Sequence, residues 1–286
     1  MTNLLILQCG YLDHHKRMEY MKNYLKKNLI GDYEIINSSV NDGKTGDGII
    51  NGGKRLFCLI KQLFSQLETG AMRQIQPQKK YDSISFIGHS LGGLYARSCI
   101  GLLEEENFFS TIIPKFFISI DTPHIGARCN KIINWLSSKS NKGSFSELFL
   151  HDNNQIIYAM SNVNSSYMIG LNKFKVKLVY GNIANGKITT NNFMVSTESA
   201  CICHPLKEKK YEINNLITID QLNDCVNESG NEIFNNLSTI NLTRKAVNQG
   251  IIFDPHGSLA SMACKKNIVL NDIIECINKY TVTERI

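Results

Sequence analysis

The stretch that decides the fold runs Ser83-Ile84-Ser85-Phe86-Ile87-Gly88-His89-Ser90-Leu91-Gly92-Gly93-Leu94-Tyr95-Ala96-Arg97. Its first five residues form an apolar run of strand length that ends at Gly88. From Leu91 to Leu103 the residues are small and apolar, as a buried helix requires, and the pattern stops at the charged Glu104, Glu105 and Glu106. Between the two lies Gly88-His89-Ser90-Leu91-Gly92, which reads G-x-S-x-G. A serine in that turn is forced into a strained backbone conformation, and the flanking glycines leave room for the chain to fold back on itself. The serine oxygen is then presented at the carboxyl edge of a sheet, above a helix N-terminus with unpaired N–H groups. The alternative reading is a tight strand-to-helix turn without chemistry.

Working outward, three more apolar runs carry strand signal: Asn3 to Gln8, Lys115 to Ile120, and the weaker Lys175 to Tyr180. The first two, like Ser83 to Ile87, alternate little, which suits strands buried on both faces of a parallel sheet. Helical spacing runs from Asp47 to Leu67, through Ile50, Leu56, Leu59, Ile60, Leu63, Phe64 and Leu67. Strand followed by helix, repeated, predicts an α/β fold with a mostly parallel central sheet. The rhythm changes over 125–174, which reads as a helical insertion packed over the sheet, with Trp135, Phe149, Tyr158 and Tyr167 as candidates for a pocket lining or lid and ordinary core as the alternative. The stretch Gly186 to Asn223 reads as a β excursion or an irregular loop, and Leu259 to Ile277 as a closing helix. One domain spanning 1–286, with the insertion inside it, accounts for the length.

Composition narrows the classes further. The chain has 286 residues, 43% hydrophobic and 20% charged, with a net charge of +6, which excludes a disordered, collagenous or coiled-coil protein. Its densest basic run, Lys207 to Lys210, is broken by Glu208 and lacks interleaved aromatics, so no nucleic-acid partner is expected. Nine cysteines, scattered and odd in number, give no disulfide framework and point to a reducing, cytoplasmic setting. Cys201, Cys203 and His204 are close enough to suggest zinc, but no second cluster completes a site, so no metal is expected. Neither a signal sequence nor a run of membrane-spanning length is expected.

A serine nucleophile needs a base and an oxyanion site. Four histidines follow Ser90: His124, His151, His204 and His256. His256, in the turn-rich Asp254-Pro255-His256-Gly257-Ser258, is the best placed base, with a plain loop histidine as the alternative. His124, just past a strand end, reads as structural. The oxyanion donors are expected at the N–H of Leu91 and in the loop after the first strand, at Tyr11 or Leu12, with Tyr11 preferred, where Gly10 lets the backbone approach.

Gly88 to Arg97 resembles the elbow of the eukaryotic putative serine esterase family, lipase-like α/β-hydrolases that include fungal phospholipases and monoacylglycerol lipases acting at lipid droplets. Four further blocks carry the resemblance: Thr45 to Ile49, Gly52 to Leu56, Phe117 to Gly126, and Leu148-Phe149-Leu150 with Asp152. It implies an α/β-hydrolase fold, no cofactor, a lipid ester substrate such as a lysophospholipid, phospholipid or monoacylglycerol, peripheral contact with a lipid droplet or membrane, and His256 as the catalytic histidine. The chain departs from the family at two places. Cys9-Gly10 stands where relatives carry His-Gly, and Asn185 stands where they carry the catalytic Asp. Asp121, at the end of the preceding strand, is the compensating candidate, since some animal lipases place their acid after that strand. A triad of Ser90, His256 and Asp121 is therefore expected, with Asp121 as a turn cap the alternative. The rival reading of the missing acid is a catalytically impaired homologue that binds lipid or protein.

Overall fold

The computed structural model describes residues 2–65, 81–129, 143–183, 193–204, 212, 215–219, 232–248 and 268–284. Its centre is a sheet in the order β2-β1-β3-β4-β6-β9-β8. The strands are β1 (Thr2–Gln8), β2 (Tyr33–Asn37), β3 (Tyr81–His89), β4 (Ile113–Ile120), β6 (Val176–Asn182), β8 (Leu216–Thr218) and β9 (Thr243–Val247). All pairings are parallel except the antiparallel β8–β9 edge. Two short strands, β5 (Arg128–Cys129) and β7 (Phe193–Met194), pair separately.

The lack of alternation in the strand sequences has the expected cause. Leu4 and Ile6 of β1 enter one core while Leu5 and Leu7 enter the other, so both faces of the strand are buried. The first core is covered by α2 (Ile49–Ser65), α3 (Leu91–Glu105) and α6 (Ser166–Lys173), and the second by α1 (Glu19–Asn28) and α9 (Ile268–Thr283). The fold is thus an α/β/α sandwich.

Layer assignment positions the site. The chain leaving β1 turns to the α1 face, while the chain leaving the adjacent β3 turns to the α3 face. Connections that part to opposite faces open a crevice at the carboxyl ends of two neighbouring strands, where open α/β sheets bind ligands.

The insertion is only partly described, and residues 130–142, with Trp135, lie outside the described residues. Its described part contains α4 (Ser144–Leu148), α5 (Ile156–Ala159) and α6. Leu148, Ile156, Ile157, Met160, Met168, Leu171 and Phe174 belong to the first core. Ser144 Oγ accepts the N–H of Gly48 at 3.0 Å, and Glu147 Oε2 accepts the N–H of Ile49 at 2.6 Å. The segment therefore caps α2 as well as packing beside it. The closing helix begins at Ile268 in the described chain and runs to Thr283, beyond the Ile277 expected from the apolar pattern. Its last turn continues because Thr281 is buried, bonding the Ile277 carbonyl and the Tyr33 hydroxyl. Within 186–223 the described pieces are β7, β8 and a short helix, α7 (Thr197–Cys201), and α8 (Glu232–Ser238) follows.

Candidate active site

Ser90 joins β3 to α3 with φ 54 and ψ −132, a region that side chains other than glycine rarely occupy. Its N–H donates to the carbonyl of Ile120 at 2.9 Å, which ties the elbow to the end of β4. A Cβ on Gly92 would overlap the Gln8 carbonyl, and one on Gly88 would lie 2.5 Å from Gly93 Cα. Only glycine permits α3 to start this close to β1 and β3.

The loop after β1 reaches the same point. A Cβ on Gly10 would lie 2.6 Å from Ser90 Cβ and 2.9 Å from its Oγ. Gly10 is therefore fixed by contact with Ser90. The N–H of Leu12 donates to Thr45 Oγ1 at 2.9 Å, so that donor is committed. The N–H groups of Tyr11 and Leu91 have no acceptor among the described residues. Of the two candidates in this loop, the backbone leaves Tyr11 as the available one. Thr45 also accepts, through its carbonyl, the hydroxyl of Tyr95 from α3 at 2.9 Å. The Thr45 to Ile49 block is thus a prop between the loop and α3. Asp13 completes the turn. Its Oδ1 accepts Arg17 Nε at 2.7 Å, and its Oδ2 lies 3.9 Å from Nδ1 of the buried His89. Cys9 is buried, and burial together with the nearby carboxylates of Asp13 and Asp42 pushes its thiol up to about 12. It is a neutral packing group at physiological pH.

Asp121 is buried at the end of β4 with φ 46. Its N–H donates to the Tyr180 carbonyl at 2.8 Å, and its Oδ1 accepts the N–H of Asn182 at 2.8 Å. The carboxyl thus bridges the carboxyl ends of β4 and β6. His256 and Asn185 lie outside the described residues. Ser90, Tyr11, Leu91 and Asp121 all stand at the carboxyl edge of the sheet.

His124 is structural, as its position suggested. Arg97 Nη1 donates to Nδ1 at 3.4 Å, so the ring proton sits on Nε2, which contacts Ser119 Oγ at 2.7 Å. Burial first, and the Arg97 charge second, hold its pKa well below the usual histidine value. With both nitrogens occupied it is not available as a base. Arg97 also donates to the Met160 carbonyl at 2.9 Å, and no carboxylate pairs with it among the described residues. Burial lowers it to about 10, so it remains a cation at neutral pH. The sequence marked Arg97 only as part of a motif, and its burial is visible only once the insertion folds over α3.

The possible zinc trio separates. Cys201 Sγ donates to the Lys245 carbonyl at 3.2 Å, Cys203 lies against the Thr197 carbonyl, and the His204 ring packs on Phe234 with centroids 4.5 Å apart.

Comparisons with known proteins bear on the fold and the family of the chain. Carboxyl esterase 2 from the mycorrhizal fungus Tuber melanosporum superposes with a TM-score of 0.50 at 13% identity, over 96% of this chain and 78% of that one. A lipase-esterase related protein from Clostridium acetobutylicum gives a TM-score of 0.45 at 13% identity, over 97% and 93% of the two chains. At these identities the Tuber enzyme carries the fold alone. No curated protein matches the chain. Residues 1–196 match the sequence profile of the family described as "Putative serine esterase (DUF676)". That span holds the elbow, the loop bearing Gly10 and the Asp121 bridge, and the chain therefore belongs to this serine esterase family, a carboxylic ester hydrolase of α/β-hydrolase fold.

Proposed function

We propose that the protein hydrolyses lipid carboxylic esters, such as lysophospholipid, phospholipid or monoacylglycerol, through an acyl-enzyme on Ser90. The observation that carries the reading is the strained Ser90 backbone pressed against Gly10, with the N–H groups of Tyr11 and Leu91 unclaimed among the described residues. In the proposed reaction Ser90 Oγ attacks the acyl carbonyl and gives its proton to His256. The resulting oxyanion accepts from Tyr11 and Leu91, each donor contributing about 10²- to 10³-fold. The alcohol leaves with the proton returned from His256, and water cleaves the acyl-enzyme by the same steps. Asp121 is the proposed acid that orients His256. Its buried carboxyl, already anchored by the Asn182 N–H, fits a group held in one orientation. A lipid substrate fits Leu12, which is 81% exposed at the rim beside Tyr11. A cytoplasmic setting, with visits to lipid-droplet or membrane surfaces, fits the free thiols among the described cysteines and the net charge of +6.

A fluorophosphonate probe tests the nucleophile. Wild-type protein should be labelled and Ser90→Ala should not; labelling that persists in Ser90→Ala, or folded wild type that resists the probe, overturns the reading. Hydrolysis rates across p-nitrophenyl esters of increasing acyl length then test the substrate class. A preference for the shortest ester rejects a lipid substrate.

A further inference from the structure

A second cluster lies just beyond Tyr11, on the turn between β1 and α1, and the proposed hydrolysis makes no use of it. His14 Nε2 is 3.1 Å from Asp42 Oδ2, and His15 Nδ1 bonds the same oxygen. The three ligand atoms lie within 4.8 Å of one another. Asp42 comes from a different turn, the one that follows β2, so the group joins two loops at the carboxyl edge of the sheet. The imidazoles are not stacked. Their centroids are 4.3 Å apart and their planes are inclined by 35°.

The cluster is oriented from behind. Asp42 Oδ1 accepts the backbone N–H of His15 at 3.0 Å, which leaves Oδ2 as the converging atom. Asn37 Nδ2 donates to the His15 carbonyl at 2.8 Å and fixes the same residue from β2. Exposure rises outward: the side chains of Asp42, His15 and His14 are 17%, 28% and 54% exposed. The donor set thus has a built base and an open face.

We propose that His14, His15 and Asp42 bind a first-row divalent cation, with zinc as the reference ion and water at the open positions. Two imidazole nitrogens and one carboxylate oxygen form a donor set suited to such ions and unlike the all-oxygen shells of calcium or magnesium. Ligand atoms around tetrahedral zinc sit about 3.3 Å apart, given bonds of about 2.0–2.1 Å. The His14–Asp42 separation is already close to this, and the His15–Asp42 hydrogen bond opens as metal replaces the shared proton. Metal at His14 Nε2 moves the ring proton to Nδ1, which ends the long 3.3 Å contact from the Lys16 N–H. That contact is weak at such a length. A cation here would clamp the β1 loop to the β2 loop, three residues from Tyr11 (a brace for the loop, with no part in bond cleavage).

The test reads binding, so it stands apart from the hydrolase reading. Full-length protein is stripped with a chelator and titrated with Co(II) and with Zn(II), following visible absorption and equilibrium dialysis. The expected result is one saturable ion, Co(II) d–d bands without thiolate charge transfer, and a raised melting temperature with zinc. His14→Gln, at an exposed position, and Asp42→Asn should each weaken affinity at least tenfold. Cys201→Ser with Cys203→Ser should leave it unchanged. Absence of saturable binding, a thiolate charge-transfer band, or affinity unaltered in folded His14→Gln overturns the proposal, leaving an ordinary His–Asp–His hydrogen-bond network.

Discussion

Gly10 is the residue on which the loop after β1 depends. Any side chain there collides with Ser90, and relief requires either the loop or the nucleophile to shift. We expect Gly10→Ala to fold but to lose about 100-fold in esterase rate, since displacements near 1 Å at a reacting centre cost about that much. Measuring kcat alongside fluorophosphonate labelling checks this, and near-wild-type rates would contradict it. Asp121→Asn keeps an oxygen for the Asn182 N–H, so its fold should survive while kcat falls roughly 10⁴-fold if this carboxyl orients the base. Cys9 gives a simpler prediction. With its thiol held up to about 12 and buried, it should resist iodoacetamide in native protein while the exposed Cys58 reacts, as peptide mapping would show. The elbow could be read from sequence because its two glycines and its serine fall within five successive residues. The Asp121–Asn182 bond and the His14–Asp42 convergence could not, since each joins residues brought together only by strand register.

At the scale of elements, α2 shows how far apart a helix and its cap can lie in sequence. The residue before it is Gly48, which offers no side chain, and the acceptor for the Ile49 N–H comes from Glu147 instead. Burial raises the Glu147 pKa, so a neutral acceptor should serve nearly as well as the carboxylate. Glu147→Ala should therefore cost about 1 kcal/mol in denaturant unfolding, and Glu147→Gln distinctly less. Equal losses would show that the charge, and not the acceptor, is what matters. The strands visible in the sequence were the four at the centre of the sheet, β1, β3, β4 and β6, because burial on both faces leaves an unbroken apolar run. β2 and β9 carry weaker signals for a physical reason. In β9 (Thr243–Val247) Lys245 is accommodated by Asp272 of α9, both of whose oxygens lie 2.7 Å from its Nζ. Tyr180 of β6 also donates to Asp272, at 2.5 Å. Nothing local to β9 announces a partner in the last helix.

For the whole molecule, the Arg97–His124 pair links stability to acidity. His124 is neutral in the folded state and its pKa lies well below the ordinary 6.5, whereas in the unfolded chain it titrates near that value. The unfolded state therefore binds the extra proton first, and stability should fall as pH drops below about 6.5. One proton corresponds to at most about 1.4 kcal/mol per pH unit. Urea unfolding between pH 8 and pH 5 measures the slope, which should shrink in His124→Gln even though that variant is less stable throughout.

The register of the sheet also fixes where the chain's described ends emerge. Thr2 pairs with Tyr81 and Asn3 with Ser83, Ser83 pairs with Ile113, and Lys115 holds Glu284 through an ion pair of 2.7 Å. Thr2 and Glu284 thus both lie at the amino edge of the parallel strands, with the length of β3 between them and Ser90. A reporter domain, an affinity tag or a solid-support tether joined at either position would hang from the side of the sheet opposite Ser90, leaving the carboxyl edge free.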